Sequence, residues 1–383
     1  MEKQSSNSKD ETEKIPQVVL LQVLEALKQA SHDIQEQHGS PNSPAVNALL
    51  ELHTILSTDT ALSNHLNRLK TLVDSLNRSN SNGLRSFLTR RVSTHSISRV
   101  ANSIESEIQA WIDRETLHTL SCSLREPIPN EDELLPLLTQ FRDRVSQGFN
   151  RELQDLVLKF KLFSSLESLL CDAKCSITVR EQAGLAVAAL IRFNKDVFVG
   201  QVLMGPTIRA LVSMASVHSI EVLNSLIRSI RSPLVDEIES NGEIPNIIAL
   251  LNSEDLQMRV LAMDCVLEIG YFGRKEAIEA MLKEGLVKKL VELQRSEVGG
   301  DLIDLDHENK KEHVGLGGKR FLEKHPFASC VARFAVQLEV GEGLRQREKR
   351  AFKPQILVKV REASVSDAEA ATIVAEVLWG SSP

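Results

Sequence analysis

The sequence is poor in aromatic side chains and has no long apolar run. Only 4% of its 383 residues are Phe, Trp or Tyr, and Tyr271 is the single tyrosine. No apolar stretch approaches the roughly 20 residues that a helix needs to cross a bilayer, and the polar first fourteen residues do not resemble a signal peptide. We therefore expect a cytoplasmic and/or nuclear protein that has no transmembrane segment and reaches a membrane only through partners.

An excess of positive charge is also missing. The formal net charge is −7, with 45 lysine and arginine residues against 52 acidic ones. Nucleic-acid-binding domains usually carry a basic excess, because they must neutralise phosphates. No nucleic-acid partner is expected.

The sequence shows no signature of a catalytic, cofactor or metal site. The five cysteines are scattered and odd in number, which is typical of reduced thiols, and no second Cys or His pair lies near Cys171 and Cys175. Neither a Gly-x-Ser-x-Gly nucleophile motif nor a phosphate-binding loop after a strand occurs. The sequence predicts a protein that is not an enzyme and that has no cofactor and no bound metal.

What the sequence does contain is a helical pattern. Hydrophobic residues make up 42% of the chain, and they recur at steps of three and four residues. This predicts an all-α fold, with a disordered tail over 1–14, a helical bundle over 15–120 and a repeat array over 132–380. A single helix is expected over 150–171. A charged, glycine-rich stretch at about 296–325 is expected to form a surface loop within the array.

Within the array, one sequence phrase repeats. Gly242 opens an apolar run, and Gly285 opens a similar run 43 residues later. In the longer helical patterns, Ala183, Ser219 and Ala262 take equivalent positions at steps of 36 and 43 residues. Self-similarity at this period predicts a helical solenoid, in which small residues let neighbouring helices approach closely.

The repeated phrase resembles that of armadillo repeats. Gly242-Glu-Ile-Pro-Asn-Ile-Ile-Ala-Leu-Leu251 is similar to the family's Gly-x-Ile-Pro-x-Leu-Val-x-Leu-Leu. The resemblance implies a right-handed α-solenoid whose groove binds other proteins. A helical region followed by such repeats is also similar to two plant groups, the Armadillo Repeat Only family and the armadillo half of U-box ubiquitin ligases. Cys122 is followed by Ser-Leu-Arg rather than by the Pro-Ile of a U-box.

The resemblance also implies which positions line the groove. Peptide-binding armadillo proteins carry Trp and Asn, four residues apart, on the third helix of each repeat. The matching positions of three successive repeats hold Leu185 and Ala189, Glu221 and Ser225, and Asp264 and Glu268. The lack of Trp and Asn disfavours a cargo receptor of the importin-alpha type. The three carboxylates predict either an acidic groove for a basic partner segment or a solvated helix face.

Two functions are compatible with these features. The first is a non-enzymatic scaffold that holds a partner polypeptide in the armadillo groove. The second is an accessory or substrate-recognition subunit in ubiquitin-ligase or small-GTPase signalling, which would act only with a catalytic partner.

Two further features stand outside the repeats. Arg90-Arg-Val-Ser93 fits a basophilic kinase pattern, so Ser93 is a candidate phosphosite, although such short patterns also arise by chance. Trp111 and Trp379 are expected to fill the core near the two ends of the array.

Overall fold

In the computed structural model, the residues described are 84–126, 130–299 and 324–379, together with a few single positions between 28 and 74. Within these residues all regular secondary structure is helical. The predicted tail over 1–14, most of the predicted bundle and most of the predicted loop at 296–325 lie outside the described residues. The chain divides into two compact units, residues 1–119 with 150–160 and residues 120–149 with 161–383.

The described helices are, in chain order, α1 (Leu84–Ser123), α2 (Glu131–Ser146), α3 (Arg151–Lys159), α4 (Leu162–Cys171), α5 (Ile177–Phe193), α6 (Lys195–Met204), α7 (Thr207–Met214), α8 (Val217–Ile230), α9 (Ser232–Ser240), α10 (Ile244–Ala249) with a 3₁₀ turn (Leu250–Asn252), α11 (Leu256–Phe272), α12 (Lys275–Lys283), α13 (Leu286–Arg295), α14 (Cys330–Val340), α15 (Gln346–Ala363) and α16 (Asp367–Trp379).

In the first unit, α1 has an apolar stripe at four-residue steps. Ile104, Ile108 and Ile112 are all buried, as the i, i+4 spacing of a helix face requires. The short helix α3 begins at Asn150, whose side-chain oxygen accepts a hydrogen bond from the backbone N–H of Leu153 at 2.9 Å. This cap satisfies a backbone donor at the start of the helix, which would otherwise lack a partner.

The second unit repeats a group of two short helices followed by a longer one. The groups are α6–α7–α8, α9–α10–α11 and α12–α13–α14. The third helices pack on one another in sequence, α5 on α8, α8 on α11, α11 on α14 and α14 on α16. The second helices form a parallel layer, in which α7 contacts α4 and α10. This stacking of three-helix units confirms the prediction of an all-α, armadillo-type solenoid.

Local sequence explains why the repeats form where they do. Gly242 and Gly285 each adopt a left-handed conformation, with φ of 70° and 75°, in the turn before a second helix. Only glycine enters this region without a steric penalty from a Cβ atom. Ser216 and Ser219 form a reciprocal capping box at the start of α8, in which each side chain binds the other's backbone N–H.

The core lies between the layers of helices. The equivalent positions Ala183, Ser219 and Ala262 all have a fractional exposure of 0%. Their small side chains allow the close approach of neighbouring third helices, as predicted.

Two sequence-based expectations about this part of the chain are wrong. The segment 150–171 is not one helix, because Lys161 has φ of 54° and separates α3 from α4. The side chain of Trp379 does not fill the core, since it is 76% exposed. On α16 the buried positions are instead Ile373, Glu376 and Val377. Trp379 lies two residues beyond Val377, about 200° further around the helix, and therefore faces away from that buried side.

Candidate functional site

The third helices of successive repeats bring a row of polar side chains together. The row is built by three neighbouring helices, α8, α11 and α14, with a contribution from the C-terminal turn of α5. We call it the groove row, and it consists of Arg192, Glu221, Ser225, Arg228, Asp264, Glu268 and Arg333.

Of the two positions predicted on α5, only one reaches solvent. Leu185 is half-buried, whereas Ala189 has a fractional exposure of 1% and packs in the core. A ligand in the groove therefore cannot contact the side chain of Ala189. The polar contribution of α5 comes from the exposed Arg192, one turn further along.

On α8, both predicted positions are accessible. Ser225 accepts a hydrogen bond from Nη1 of Arg192 at 2.9 Å, which links the third helices of two repeats. Glu221 is exposed and lies 3.4 Å from the ring nitrogen Nδ1 of His218. Because both partners are largely exposed, this contact contributes little to stability and leaves Glu221 available to a ligand.

On α11, the carboxylate of Glu268 is already paired with an arginine of the same chain. Its Oε1 atom lies 2.7 Å from Nε of Arg228 on α8, and its side chain is 22% exposed. The two residues are 40 positions apart in sequence, so the pair joins consecutive repeats. Glu268 therefore contributes less negative charge to the groove than the sequence suggested.

Asp264, one turn before Glu268, differs from it in its hydrogen bonding. It is half-buried, and no described residue donates a hydrogen bond to its carboxylate. Burial raises the pKa of Asp264, the guanidinium groups of Arg333 and Arg228 oppose this effect, and the charge of Glu268 adds to it. A partly buried carboxylate that accepts no hydrogen bond is stabilised when a ligand donates one to it.

Sequence reasoning missed the basic members of the row. Arg192 and Arg228 lie 36 residues apart, at the same interval as Ala189 and Ser225. Each is three residues, about one helical turn, beyond the position compared with the family's Asn, so it shares a helix face with that position. This periodic arginine was a signal available in the sequence.

The remaining candidate features lie apart from this row. Ser93 is in α1, before the side chains that the structure describes in that helix. Within 130–299 and 324–379, as in the described part of α1, no group of three or more His, Cys, Asp or Glu side chains could hold a metal ion. Of the described helices, none is by itself long and apolar enough to cross a membrane, although the pair α6 and α7, bent by 69°, meets the criteria of length and composition together.

Comparison with known proteins gives structural likenesses at low sequence identity. No protein-family model matches the chain, and no curated protein sequence does. The chain is similar to a designed armadillo repeat protein at 16% identity, over 68% of this chain and 99% of that chain, with a TM-score of 0.43. It is also similar to a designed armadillo repeat protein in complex with a (KR)4 peptide, at 17% identity, over 68% and 99% of the two chains, with a TM-score of 0.41. An engineered protein is similar at 15% identity over 95% of this chain and 98% of its own, with a TM-score of 0.42.

Proposed function

We propose that the protein is a non-enzymatic scaffold that binds a partner polypeptide along the groove row. The observation that carries the proposal is Asp264, a half-buried carboxylate to which no described residue donates a hydrogen bond. It lies in a row in which the other carboxylate of α11, Glu268, is paired with Arg228. The open acceptor would be satisfied by a donor from outside the chain.

The row offers both kinds of polar group that an extended polypeptide needs. Asp264 and the exposed Glu221 accept hydrogen bonds, which suits the lysine or arginine side chains of a basic segment as well as backbone N–H groups. Arg192 donates hydrogen bonds, which suits the partner's backbone carbonyls. Since every peptide unit carries one donor and one acceptor, a row that contains both can hold a main chain whatever its side chains.

Selection from a displayed peptide library tests this proposal without a known partner. Purified protein would be used to enrich peptides, and the affinity of the enriched peptides would then be measured for variants. We expect peptides rich in lysine and arginine, and at least about tenfold weaker binding by Glu221→Lys/Asp264→Lys, because like charges are brought together. Asp264→Asn, which keeps the shape of the side chain, should weaken binding less.

A matched control is available on the first-helix layer. Glu276 and Glu284 are exposed, and the double variant Glu276→Lys/Glu284→Lys changes the net charge by the same amount as the groove variant. It should bind the enriched peptides as the unmodified protein does. Failure to enrich any peptide, or equal losses in both double variants, would contradict the proposal.

The alternative role in ubiquitin-ligase or small-GTPase signalling would use the same groove with an additional catalytic partner. No described contact favours it over a plain scaffold. The same variants would bear on it, because substrate recognition in such an assembly would also depend on Asp264.

A further inference from the structure

Helix α15 is strongly basic in a chain whose net charge is negative. It carries six lysine and arginine residues against two glutamates, whereas the whole chain has a net charge of −7. Its inner side is apolar, with Phe352, Ile356 and Val360 buried against the rest of the second unit. The three lysines among these residues are partly buried, so the exposed positive charge on the outer side of the helix comes from its three arginines.

Three arginines share that outer side. Arg350 and Arg361 follow Arg347 by 3 and 14 residues, and at 3.6 residues per turn these intervals place all three on one helix face. All three are exposed, and none forms a hydrogen bond or ion pair with another described residue. The lysines of α15 nearer to α14 differ, since Lys349 donates hydrogen bonds to the carbonyls of Glu339 and Gly341, at 2.9 and 2.7 Å.

Exposed apolar side chains lie among these arginines. Val358, 53% exposed, is one turn before Arg361 on the same face of α15. Arg361 also lines an open groove with Val365 and Trp379, which are 74% and 76% exposed. We call this set the basic–apolar surface, and it consists of Arg347, Arg350, Val358, Arg361, Val365 and Trp379.

We propose that the basic–apolar surface binds the surface of an anionic phospholipid bilayer directly. Unpaired arginines are attracted to anionic headgroups, and each can form two parallel hydrogen bonds to a phosphate. Tryptophan is enriched at the boundary between headgroups and acyl chains, where its ring is apolar and its N–H finds a partner. The sequence alone predicts membrane contact only through partners, whereas the interaction proposed for this surface is direct.

The form of the apolar groups favours a bilayer over an acidic peptide. Val358, Val365 and Trp379 project into solvent with more than half of their surface exposed. Side chains that project singly from a protein can insert between lipid headgroups. A bound peptide would instead need a closed pocket on the protein to hold its anchor residue. The exposed acids Glu362 and Asp367 border the surface. These two carboxylates weaken the attraction of the arginines to anionic headgroups. Binding should therefore increase with the fraction of anionic lipid in the bilayer.

Sedimentation of the full chain with vesicles tests the proposal. We expect the protein to sediment with vesicles of phosphatidylcholine and phosphatidylserine but not with phosphatidylcholine alone, and to be released by high salt. Arg347→Glu/Arg350→Glu should weaken binding at least about tenfold, because two attractive charges become repulsive. Trp379→Ala should weaken binding without changing its dependence on salt, since its contribution is apolar.

The matched control reverses two exposed lysines elsewhere in the second unit. Lys283→Glu/Lys288→Glu has the same change in net charge as the arginine double variant and should sediment normally. No sedimentation with phosphatidylserine vesicles would overturn the proposal, and so would equal losses in the two double variants. Binding to an acidic peptide such as polyglutamate, without binding to vesicles, would assign the surface to a protein partner and overturn it too. Because the groove row is not involved, peptide binding should be unchanged in every one of these variants.

Discussion

A bidentate ion pair between Arg295 and Glu369 should contribute measurably to the stability of the second unit. Arg295 ends α13, and its Nε and Nη2 atoms lie 2.7 and 2.9 Å from the two carboxylate oxygens of Glu369 at the start of α16. Nη2 also reaches the carbonyl of Ala363 at 3.4 Å, and Glu369 accepts a hydrogen bond from the backbone N–H of Val365 at 2.7 Å. One arginine thus holds both sides of the connection between α15 and α16.

The contribution of this ion pair to the free energy of unfolding follows from its geometry and its exposure to solvent. Hydrogen bonds to charged groups contribute about 1.5–3 kcal/mol when they are well shielded. The side chains of Arg295 and Glu369 are 36% and 19% exposed, so solvent screening reduces the value. We expect Glu369→Gln to lower the free energy of unfolding by about 1–2 kcal/mol. A double-mutant cycle with Arg295→Ala should give a coupling energy of about 1 kcal/mol.

The stabilisation by the Arg295–Glu369 pair should also depend on pH and should be lost in acid. Hydrogen bonding from Arg295 is the largest cause that lowers the pKa of Glu369 below its ordinary value of 4.5. A group whose pKa is lower in the folded state stabilises fully above its unfolded pKa. The coupling should therefore be complete at neutral pH and decline as the pH falls below about 4.5 through the folded pKa.

Urea unfolding followed by far-ultraviolet circular dichroism measures these effects. The four proteins of the cycle would be compared at neutral pH and at a pH below about 4. Glu362→Gln, at an exposed glutamate in the last turn of α15, is the control and should change stability by less than about 0.5 kcal/mol. A coupling energy of zero at neutral pH, or one that does not change with pH, would refute the reasoning.

Three further predictions concern backbone conformation, a buried carboxylate and thiol reactivity. Gly285→Val should lower the free energy of unfolding by about 1–2 kcal/mol, because φ is 75° there, and Gly285→Asn should cost less; equal effects in urea unfolding would contradict this. Glu376→Ala should cost about 1–3 kcal/mol in the same assay, since it removes a buried acceptor that Gln294 Nε2 contacts at 2.8 Å, and an unchanged midpoint would count against it. Burial raises the pKa of Cys330 to about 12, so mass spectrometry should find this thiol unmodified by an alkylating reagent until the protein unfolds, while exposed Cys122 reacts. Modification of Cys330 in the folded protein would contradict the last prediction.

The architecture of the second unit was largely predictable from the sequence. Periodic apolar residues, the 36- and 43-residue steps and the glycines at 242 and 285 each specify local structure, and all of them agree. The break at Lys161 was not predictable in the same way. A lysine rarely adopts positive φ, and the apolar pattern continues across it, so nothing in the local sequence indicates the end of a helix.

The chemistry of the groove was less predictable than its position. The pairing of Glu268 with Arg228 depends on residues 40 positions apart, whose distance is set by the packing of α8 on α11. Ala189 was placed on the groove by analogy, but its burial follows from the contact of α5 with α8. The exposure of Trp379 likewise depends on which side of α16 packs on α14 and α15, and aromatic character alone suggested the core.

The most direct test of the account is to locate a bound peptide on the third-helix layer. A photo-crosslinking amino acid would replace Ser225 in the groove row or, as the control, exposed Ser240 at the end of α9. With a peptide enriched by the unmodified protein, we predict crosslinking from position 225, its loss in Asp264→Lys, and none from position 240. Crosslinking from position 240 alone, or from 225 without any dependence on Asp264, would contradict the claim that the groove row is the binding site.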